Sequence, residues 1–293
     1  STLFPYTTLF RSYLSGMDRF IRKYGQNFLQ VGIAEQNMMG IAAGLALEGE
    51  TVIASTYCSF IAVRCLEQIR QNIANTGANV KVVGTFAGAV SSKSGVSHLA
   101  IEDLAFMRAL PNFTVFSPAD SIEAYKAFNA TVETSGPVYL RLSGAAECPA
   151  VYQEDYSFIP GRFVKLSEGK DVALIATGLM VREALDASSR LKSEGIACAV
   201  FNAHTIKPID RETLKQIFSA YPLVVTVEEH SVIGGLGSAV AEYKATLKTD
   251  CRQVFLGFED CYYESGSQKY LWSRAHIDSD GIACRIREEL KRP

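Results

Sequence analysis

The sequence lacks the patterns that identify membrane, disulfide-rich or nucleic-acid-binding proteins. Its longest apolar runs, at 172–176 and 223–227, have the length of a strand and fall far short of the roughly 20 residues that a membrane helix needs. Its seven cysteines form no CxxC pair, so we interpret them as reduced thiols of a cytoplasmic protein. No basic run alternates with aromatic residues, so we expect no nucleic-acid surface. Because the apolar runs are short, we also expect no membrane span.

Common catalytic motifs are also missing. The sequence has neither a GxSxG nor a Walker A pattern, which removes the common hydrolase and nucleotide-triphosphatase classes. The four histidines include no HExxH motif and no Cys/His cluster, so we predict no metal site in this chain. The turn GGLGS at 234–238 lacks the full GxGxxG pattern, and we interpret it as a tight turn with close helix–sheet packing.

The composition that remains is that of a globular protein. Its 293 residues are enough for one large domain or two ordinary ones. Hydrophobic residues make up 48%, charged residues 20%, and the mean hydropathy is +0.08, which excludes a disordered chain. The formal net charge of −2 gives no reason to expect a polyanionic partner.

Short β-rich runs alternate with helix-period segments from residue 27 onward. A predicted strand at 51–54 precedes a helix at 59–75, and a strand at 114–117 precedes a helix at 121–133. This alternation predicts an α/β fold with mostly parallel sheets covered by helices on both faces. A second alternating unit begins at Asp171 and predicts a smaller, three-layer α/β domain.

Two segments interrupt the alternation. Residues 146–168 show no sustained period, so we predict a linker between a first domain at 13–145 and a second at 169–293. Residues 1–12 have neither the charged region of a signal peptide nor the period of a helix or strand. We therefore expect this leader to be foreign or mis-joined and to lie outside the fold.

Glu35 and His98 are candidate catalytic residues on chemical grounds. Glu35 opens a helix whose small residues allow another backbone to approach closely, and burial there would let its carboxyl group hold a proton. The alternative is a first-turn acid that only favours the helix dipole. His98 ends a glycine-containing loop, a common place for catalytic groups, although an ordinary surface histidine is equally compatible with the spacing.

A series of ordered motifs resembles the transketolase-like, thiamine-diphosphate-dependent enzymes. In chain order the main ones are VGIAEQNM (31–38), YCSF (57–60), SGVSH (94–98), GPVYLRL (136–142), DVALIATG (171–178), KPID (207–210) and VEEHSVIGGLGS (227–238). The resemblance covers about residues 20–290 and is greatest to the C-terminal subunit of split transketolases. It implies a pyrimidine-binding domain followed by a transketolase C-terminal domain.

The resemblance implies roles for single residues. Glu35 matches the glutamate that hydrogen-bonds the aminopyrimidine ring of thiamine diphosphate, and Phe60 matches the aromatic residue that stacks on this ring. Tyr57 belongs to the same cofactor-binding motif, and His98 matches the substrate-facing histidine. Arg141 matches a ligand of the substrate phosphate, although an arginine at a strand end can equally form a structural ion pair.

The resemblance also implies a partner, because the family's Gly-Asp-Gly motif for diphosphate and magnesium is absent here. In split enzymes this motif belongs to an N-terminal transketolase subunit. We therefore expect thiamine diphosphate, Mg²⁺ ligands on that subunit, sugar phosphate substrates and an α2β2 heterotetramer. The alternatives are a deoxyxylulose-phosphate synthase-like or 2-oxoacid-decarboxylating subunit, and a truncated, non-catalytic assembly subunit.

Three departures from the family pattern affect these expectations. Ser94 stands where transketolases have an aspartate that reads hydroxyl stereochemistry, and Gly144 stands where a phosphate-binding arginine is common. The region before GIAE is short and partly replaced by the leader. A missing central strand there would expose a sheet edge, so we expect impaired folding or pairing.

Overall fold

The computed structural model describes residues 2–6, 18–144 and 148–292. The first α/β unit contains β1 (Thr2–Tyr6), α1 (Asp18–Tyr24), β2 (Phe28–Gln30), α2 (Glu35–Leu47), β3 (Thr51–Tyr57), α3 (Leu66–Gln68), β4 (Val80–Thr85), α4 (Asp103–Ala109), β5 (Thr114–Phe116), α5 (Ser121–Glu133) and β6 (Val138–Arg141). The second contains β7 (Val164–Ser167), β8 (Val172–Ala176), α6 (Met180–Ser193), β9 (Cys198–Asn202), β10 (Thr205–Lys207), α7 (Arg211–Ala220), β11 (Leu223–Ser231), α8 (Leu236–Lys244), β12 (Arg252–Phe258), α9 (Gln268–Arg274) and α10 (Ser279–Lys291).

Two sheets organise these elements. The first has the order β10-β5-β6-β4-β3-β1-β2 and the second the order β12-β11-β8-β9-β7. All neighbouring strands are parallel except β10 and β7, which lie antiparallel at one edge of each sheet. The prediction of two α/β domains with mostly parallel sheets is therefore confirmed.

The helix starts follow local chemistry. The Asp120 side chain accepts a hydrogen bond from the backbone N–H of Glu123 and caps α5. Asp210 and Asp278 cap α7 and α10 in the same way. No helix in the described ranges is long and apolar enough to cross a membrane.

The N-terminal residues depart from expectation. Thr2–Tyr6 forms a strand that pairs in parallel with both β2 and β3. The expectation that the leader lies outside the fold is therefore wrong for these residues, and β3 has a neighbour on each side instead of an open edge. The sequence does not predict β1 because TLFPY shows no polar–apolar alternation and contains a proline, which is uncommon inside a sheet.

Other differences concern short or irregular elements. The helix expected at 59–75 consists of two π-helical turns, Phe60–Arg64 and Ile69–Ala74, on either side of α3. Part of the expected linker forms β7, which extends the second sheet. β10 belongs to the second half of the chain but pairs with β5 in the first sheet. The sequence also did not predict α9 and α10, which close one face of the second sheet together with α6.

Candidate active site

Four of the sequence-predicted residues lie at or just after the carboxyl ends of parallel strands, at one edge of the first sheet. Glu35 comes after β2, Tyr57 is the last residue of β3, Phe60 follows β3, and His98 lies on the loop after β4. Because β3 and β4 are adjacent and parallel, with Tyr57 opposite Thr85, their following segments meet at this edge. Ligands of open parallel sheets bind there.

Glu35 is a buried carboxylate at the first turn of α2. Gly32 precedes it with a φ of +71°, a conformation that turns the chain from β2 into the helix and favours glycine. Only 2% of Glu35 is exposed, and its Oε2 lies 2.9 Å from the Arg64 Nη1. Glu35 and Arg64 therefore form an ion pair at the amino-terminal end of α2.

Arg64 connects Glu35 with the aromatic residues. Its guanidinium carbon lies 4.4 Å from the centre of the Phe60 ring, within the range of a cation–π contact. Its carbonyl accepts a hydrogen bond of 3.0 Å from the Gln36 Nε2. The π-helical turn Phe60–Arg64 places both residues beside the start of α2, and such turns are frequent at functional sites.

An aromatic cluster adjoins this ion pair. The rings of Tyr57 and Phe60 are nearly parallel, with centroids 5.7 Å apart. The His98 ring meets Phe60 edge-on at 5.4 Å and Tyr57 at 6.2 Å. Phe86 packs against Tyr57 at 4.4 Å and has a backbone φ of +56°, an uncommon value for a bulky residue.

His98 lies on a turn between β4 and α4. Its Nδ1 is 3.0 Å from the Ser97 Oγ, and the side chain is half-buried. Ser94, four residues earlier on the same loop, is exposed. The structure thus brings Glu35, Tyr57, Phe60 and His98 into one connected cluster, with Ser94 at the loop surface.

Arg141 belongs to a different environment. Its Nε donates to the Asp103 Oδ2 (2.7 Å), and its Nη2 donates to Asp103 and to the carbonyls of Ala100 and Glu229. Only 4% of its side chain is exposed. Arg141 is a structural ion-pair residue between the two domains, and the expected role as a phosphate ligand does not fit this saturated, buried position.

The pKa values of buried groups near Arg141 and Glu35 follow from burial and from their charged neighbours. Burial alone would raise the pKa of Asp103, but Arg141 holds it below its usual range. Beside Glu35, burial and then the Glu35 charge raise the pKa of the Cys65 thiol to about 12, so Cys65 stays protonated and inert. All seven cysteines are free.

Sequence reasoning missed Arg64 and Phe86 as neighbours of the site. Arg64 had one usable signal, a charge four residues after Phe60 in an otherwise apolar segment. Phe86 and Gly144 approach each other through tertiary contacts that no local pattern encodes. Across the described ranges, no three His, Cys, Asp or Glu side chains are grouped to hold a metal ion.

Comparison with known proteins decides the family. The model of the transketolase pyrimidine binding domain matches residues 10–146, and that of the transketolase C-terminal domain matches 161–282. A putative transketolase C-terminal section of Methanocaldococcus jannaschii is 40% identical over 275 residues, covering 93% of this chain and 86% of the relative. The chain belongs to the transketolase family. The resemblance predicted from the motifs is confirmed.

Two further members of the transketolase family extend this result. The 6-deoxy-6-sulfo-D-fructose transketolase subunit SqwH of Clostridium sp. (strain MSTE9) is 38% identical, covering 95% of this chain and 86% of that subunit. A solved split-gene transketolase, described as an inactive beta4 tetramer, is 39% identical with a TM-score of 0.87. The match covers 99% of this chain and 93% of the solved chain.

Proposed function

We propose that this chain is the C-terminal subunit of a two-chain, thiamine-diphosphate-dependent transketolase. It would transfer a two-carbon ketol unit between sugar phosphates. The observation that carries the proposal is the buried Glu35 carboxylate, joined through Arg64 to Phe60 and through the Phe60 ring to His98. The names of the relatives, a C-terminal section and a transketolase subunit, support a divided enzyme.

The residues at this edge fit the aminopyrimidine of thiamine diphosphate. Glu35 offers a carboxyl group removed from water, while Phe60 and Tyr57 offer flat rings in parallel orientation. Within the described part of the chain the Ser59 Oγ is buried without a hydrogen-bond partner, and such an atom suits a polar ligand. When bound, the cofactor supplies the carbon nucleophile for ketol transfer.

The chain's own groups would then hold the reactants. Glu35 would exchange a proton with a ring nitrogen of the pyrimidine, because its carboxyl group is shielded from competing water. His98 would donate hydrogen bonds to sugar oxygens, since its ring borders Phe60 and its Nδ1 is oriented by Ser97. Ser94, exposed on the same loop, would contact the sugar hydroxyl that an aspartate reads in other transketolases.

Exposed apolar residues around this cluster support a partner chain. Ile33 is 78% exposed, Val63 66% and Val96 48%, and they lie next to the segments that carry Glu35, Arg64 and His98. Apolar side chains grouped around a polar site are typical of an interface. We assign it to an N-terminal subunit that supplies the diphosphate site and the Mg²⁺ ligands within an α2β2 assembly.

The test is reconstitution with the neighbouring subunit, thiamine diphosphate and Mg²⁺. We expect ketol transfer from a panel of phosphorylated and sulfonated ketoses, and Glu35→Gln lowers kcat at least about 100-fold. Glu48→Gln is the matched control, because Glu48 is exposed at the other end of α2, and it retains full activity.

The same experiment separates the alternatives. Equal activity of Glu35→Gln and wild type would remove Glu35 from the mechanism. Release of CO₂ from pyruvate in place of ketol transfer would assign the chain to the 2-oxoacid-decarboxylating relatives. Calorimetry that detects partner binding but no cofactor affinity would assign a non-catalytic assembly role.

A further inference from the structure

The loop that carries His98 is closed at its base. We call residues 87–100 the His98 loop. Gly88 and Ala100 exchange two backbone hydrogen bonds of 2.9 and 3.0 Å, and this pair forms the neck of the loop. The position of His98 therefore depends on what holds the neck.

Strand β11 of the second domain holds both sides of this neck. The Glu229 Oε1 accepts a hydrogen bond of 3.0 Å from the backbone N–H of Ala89. Two residues further along β11, the backbone N–H of Ser231 donates to the carbonyl of Ile101 at 2.7 Å. Arg141 joins these contacts, because its Nη2 donates to both the Ala100 and Glu229 carbonyls.

Glu229 is fixed in place by its own domain. The Trp272 Nε1 and the Gln268 Nε2 donate to the same Oε1 at 2.6 and 2.9 Å, and only 2% of Glu229 is exposed. Gly88 faces the carboxylate with a φ of +67°, and a Cβ there would lie 2.3 Å from the Glu229 Cδ. Only glycine at 88 allows the carboxylate to approach Ala89 so closely.

A second contact lies closer to the tip of the loop. The Ser92 Oγ is 2.9 Å from the carbonyl of Gly266, which precedes α9. The second domain thus holds the His98 loop at its neck through β11 and near its tip through the segment before α9. These contacts leave His98 itself directed at Phe60 and Tyr57.

We propose that Glu229 is a positioning residue that fixes the His98 loop, so that the C-terminal domain contributes to catalysis through the geometry of His98. The proposal rests on the proposed function only in giving His98 a substrate-facing role. A displacement of about 1 Å in a catalytic group lowers turnover by as much as about 100-fold. Glu229→Ala removes the acceptor shared by Ala89, Gln268 and Trp272.

The first experiment needs no activity. Amide hydrogen exchange is measured on the full chain as wild type, Glu229→Ala and Glu289→Ala. Glu289 is the matched control, because it is 3% exposed in the same domain and pairs with Arg252, Arg285 and Arg292, all within that domain. We expect exchange of residues 87–100 to rise at least tenfold in Glu229→Ala and to stay at the wild-type rate in Glu289→Ala. Equal exchange in both variants would overturn the proposal.

The second experiment uses the reconstituted holoenzyme and a double-mutant cycle. We expect Glu229→Ala to lower kcat/KM for the acceptor sugar about 10- to 100-fold with unchanged thiamine diphosphate affinity, and Glu229→Gln to restore most of it. In a His98→Ala background the same change should cost less than twofold. If the losses in kcat/KM from Glu229→Ala and His98→Ala simply multiply in the double mutant, Glu229 does not act through His98 and the proposal is refuted. A wild-type holoenzyme without ketol transfer would refute the proposed function, while the exchange result would still decide the role of Glu229.

Discussion

His204 is completely buried where the second domain meets the sheet of the first. Its ring lies 4.1 Å from the Phe158 ring, and its Nδ1 is 2.9 Å from the Thr205 Oγ1. Burial lowers the pKa of His204 to about 4, and the charge of Asp210 offsets only part of this effect. The folded protein therefore keeps this imidazole neutral at pH values where an unfolded chain protonates it.

The pH dependence of stability follows from this histidine. Because its folded pKa is depressed, the unfolded state binds more protons between about pH 6.5 and 4, and stability falls as the pH drops through this window. We expect wild type to lose about 3 kcal/mol relative to His204→Phe between pH 7 and 4. Urea unfolding of both proteins at several pH values measures the difference. A constant difference would contradict the buried, neutral state of His204.

At the scale of single residues, the sequence predicted which side chains lie in the candidate active site better than it predicted which residues pair with each other. Glu35, Phe60 and His98 belong to motifs whose residue types have few uses together, and they meet in one cluster. Arg141 was ambiguous, because a strand-end arginine suits a phosphate and an ion pair equally. Its partner Asp103 lies 38 positions away in sequence, so only the fold could decide.

Asp120 connects two elements and shows how a cap can do more than start a helix. Its Oδ1 accepts from the N–H of Glu123 at the start of α5. Its Oδ2 accepts from the N–H groups of Val151 and Tyr152, which lie in the segment between the domains. One carboxylate therefore fixes both the helix and the chain that crosses it.

This double role predicts an unusually costly cap mutation. We expect Asp120→Ala to lower the free energy of unfolding by about 2–4 kcal/mol, since it removes a cap and leaves two N–H groups unpaired. Asp278→Ala is the control, because the Asp278 side chain caps α10 by accepting from the backbone N–H of Gly281, and about 1 kcal/mol is expected. Urea unfolding measures both. Equal losses in the two variants would show that the hydrogen bonds from Val151 and Tyr152 to Asp120 add nothing to stability.

Among the elements, those with a long local period were predictable and those defined by distant partners were not. α5 begins and ends at the residues that the sequence predicts, 121 and 133, because a capping aspartate precedes an apolar helical period. β10 has three residues and exists through its pairing with β5. β7 is an edge strand without a buried face, so its sequence resembles a loop.

At the scale of the whole molecule, the apolar residues around the active-site cluster predict where the partner binds. We expect Ile33→Glu and Val63→Glu each to weaken association with the N-terminal subunit at least about tenfold, because each places a charge where apolar burial contributes about 1.5–3 kcal/mol. Sedimentation velocity of the mixed subunits measures the change.

The control for this prediction lies on the other side of the first sheet. Tyr125 is 70% exposed on α5, which packs on the sheet face opposite to α2. Tyr125→Glu should leave association unchanged. If all three substitutions have the same effect, the interface does not lie at the Ile33 and Val63 surface.

β10 follows the first domain in the chain but pairs with β5 in the sheet of that domain. This pairing has a consequence for how such an enzyme can be divided into separate polypeptides. A break between β6 and β7 would leave one fragment with the unsatisfied backbone of β5 and the other with a three-residue ribbon that has nothing to pair with. The break would also divide the apolar core between the two fragments, because α4 packs in the same core as α7 and α8. We therefore expect a division of the chain between these two domains to destabilise both fragments, and a division outside the joined pair to be tolerated better.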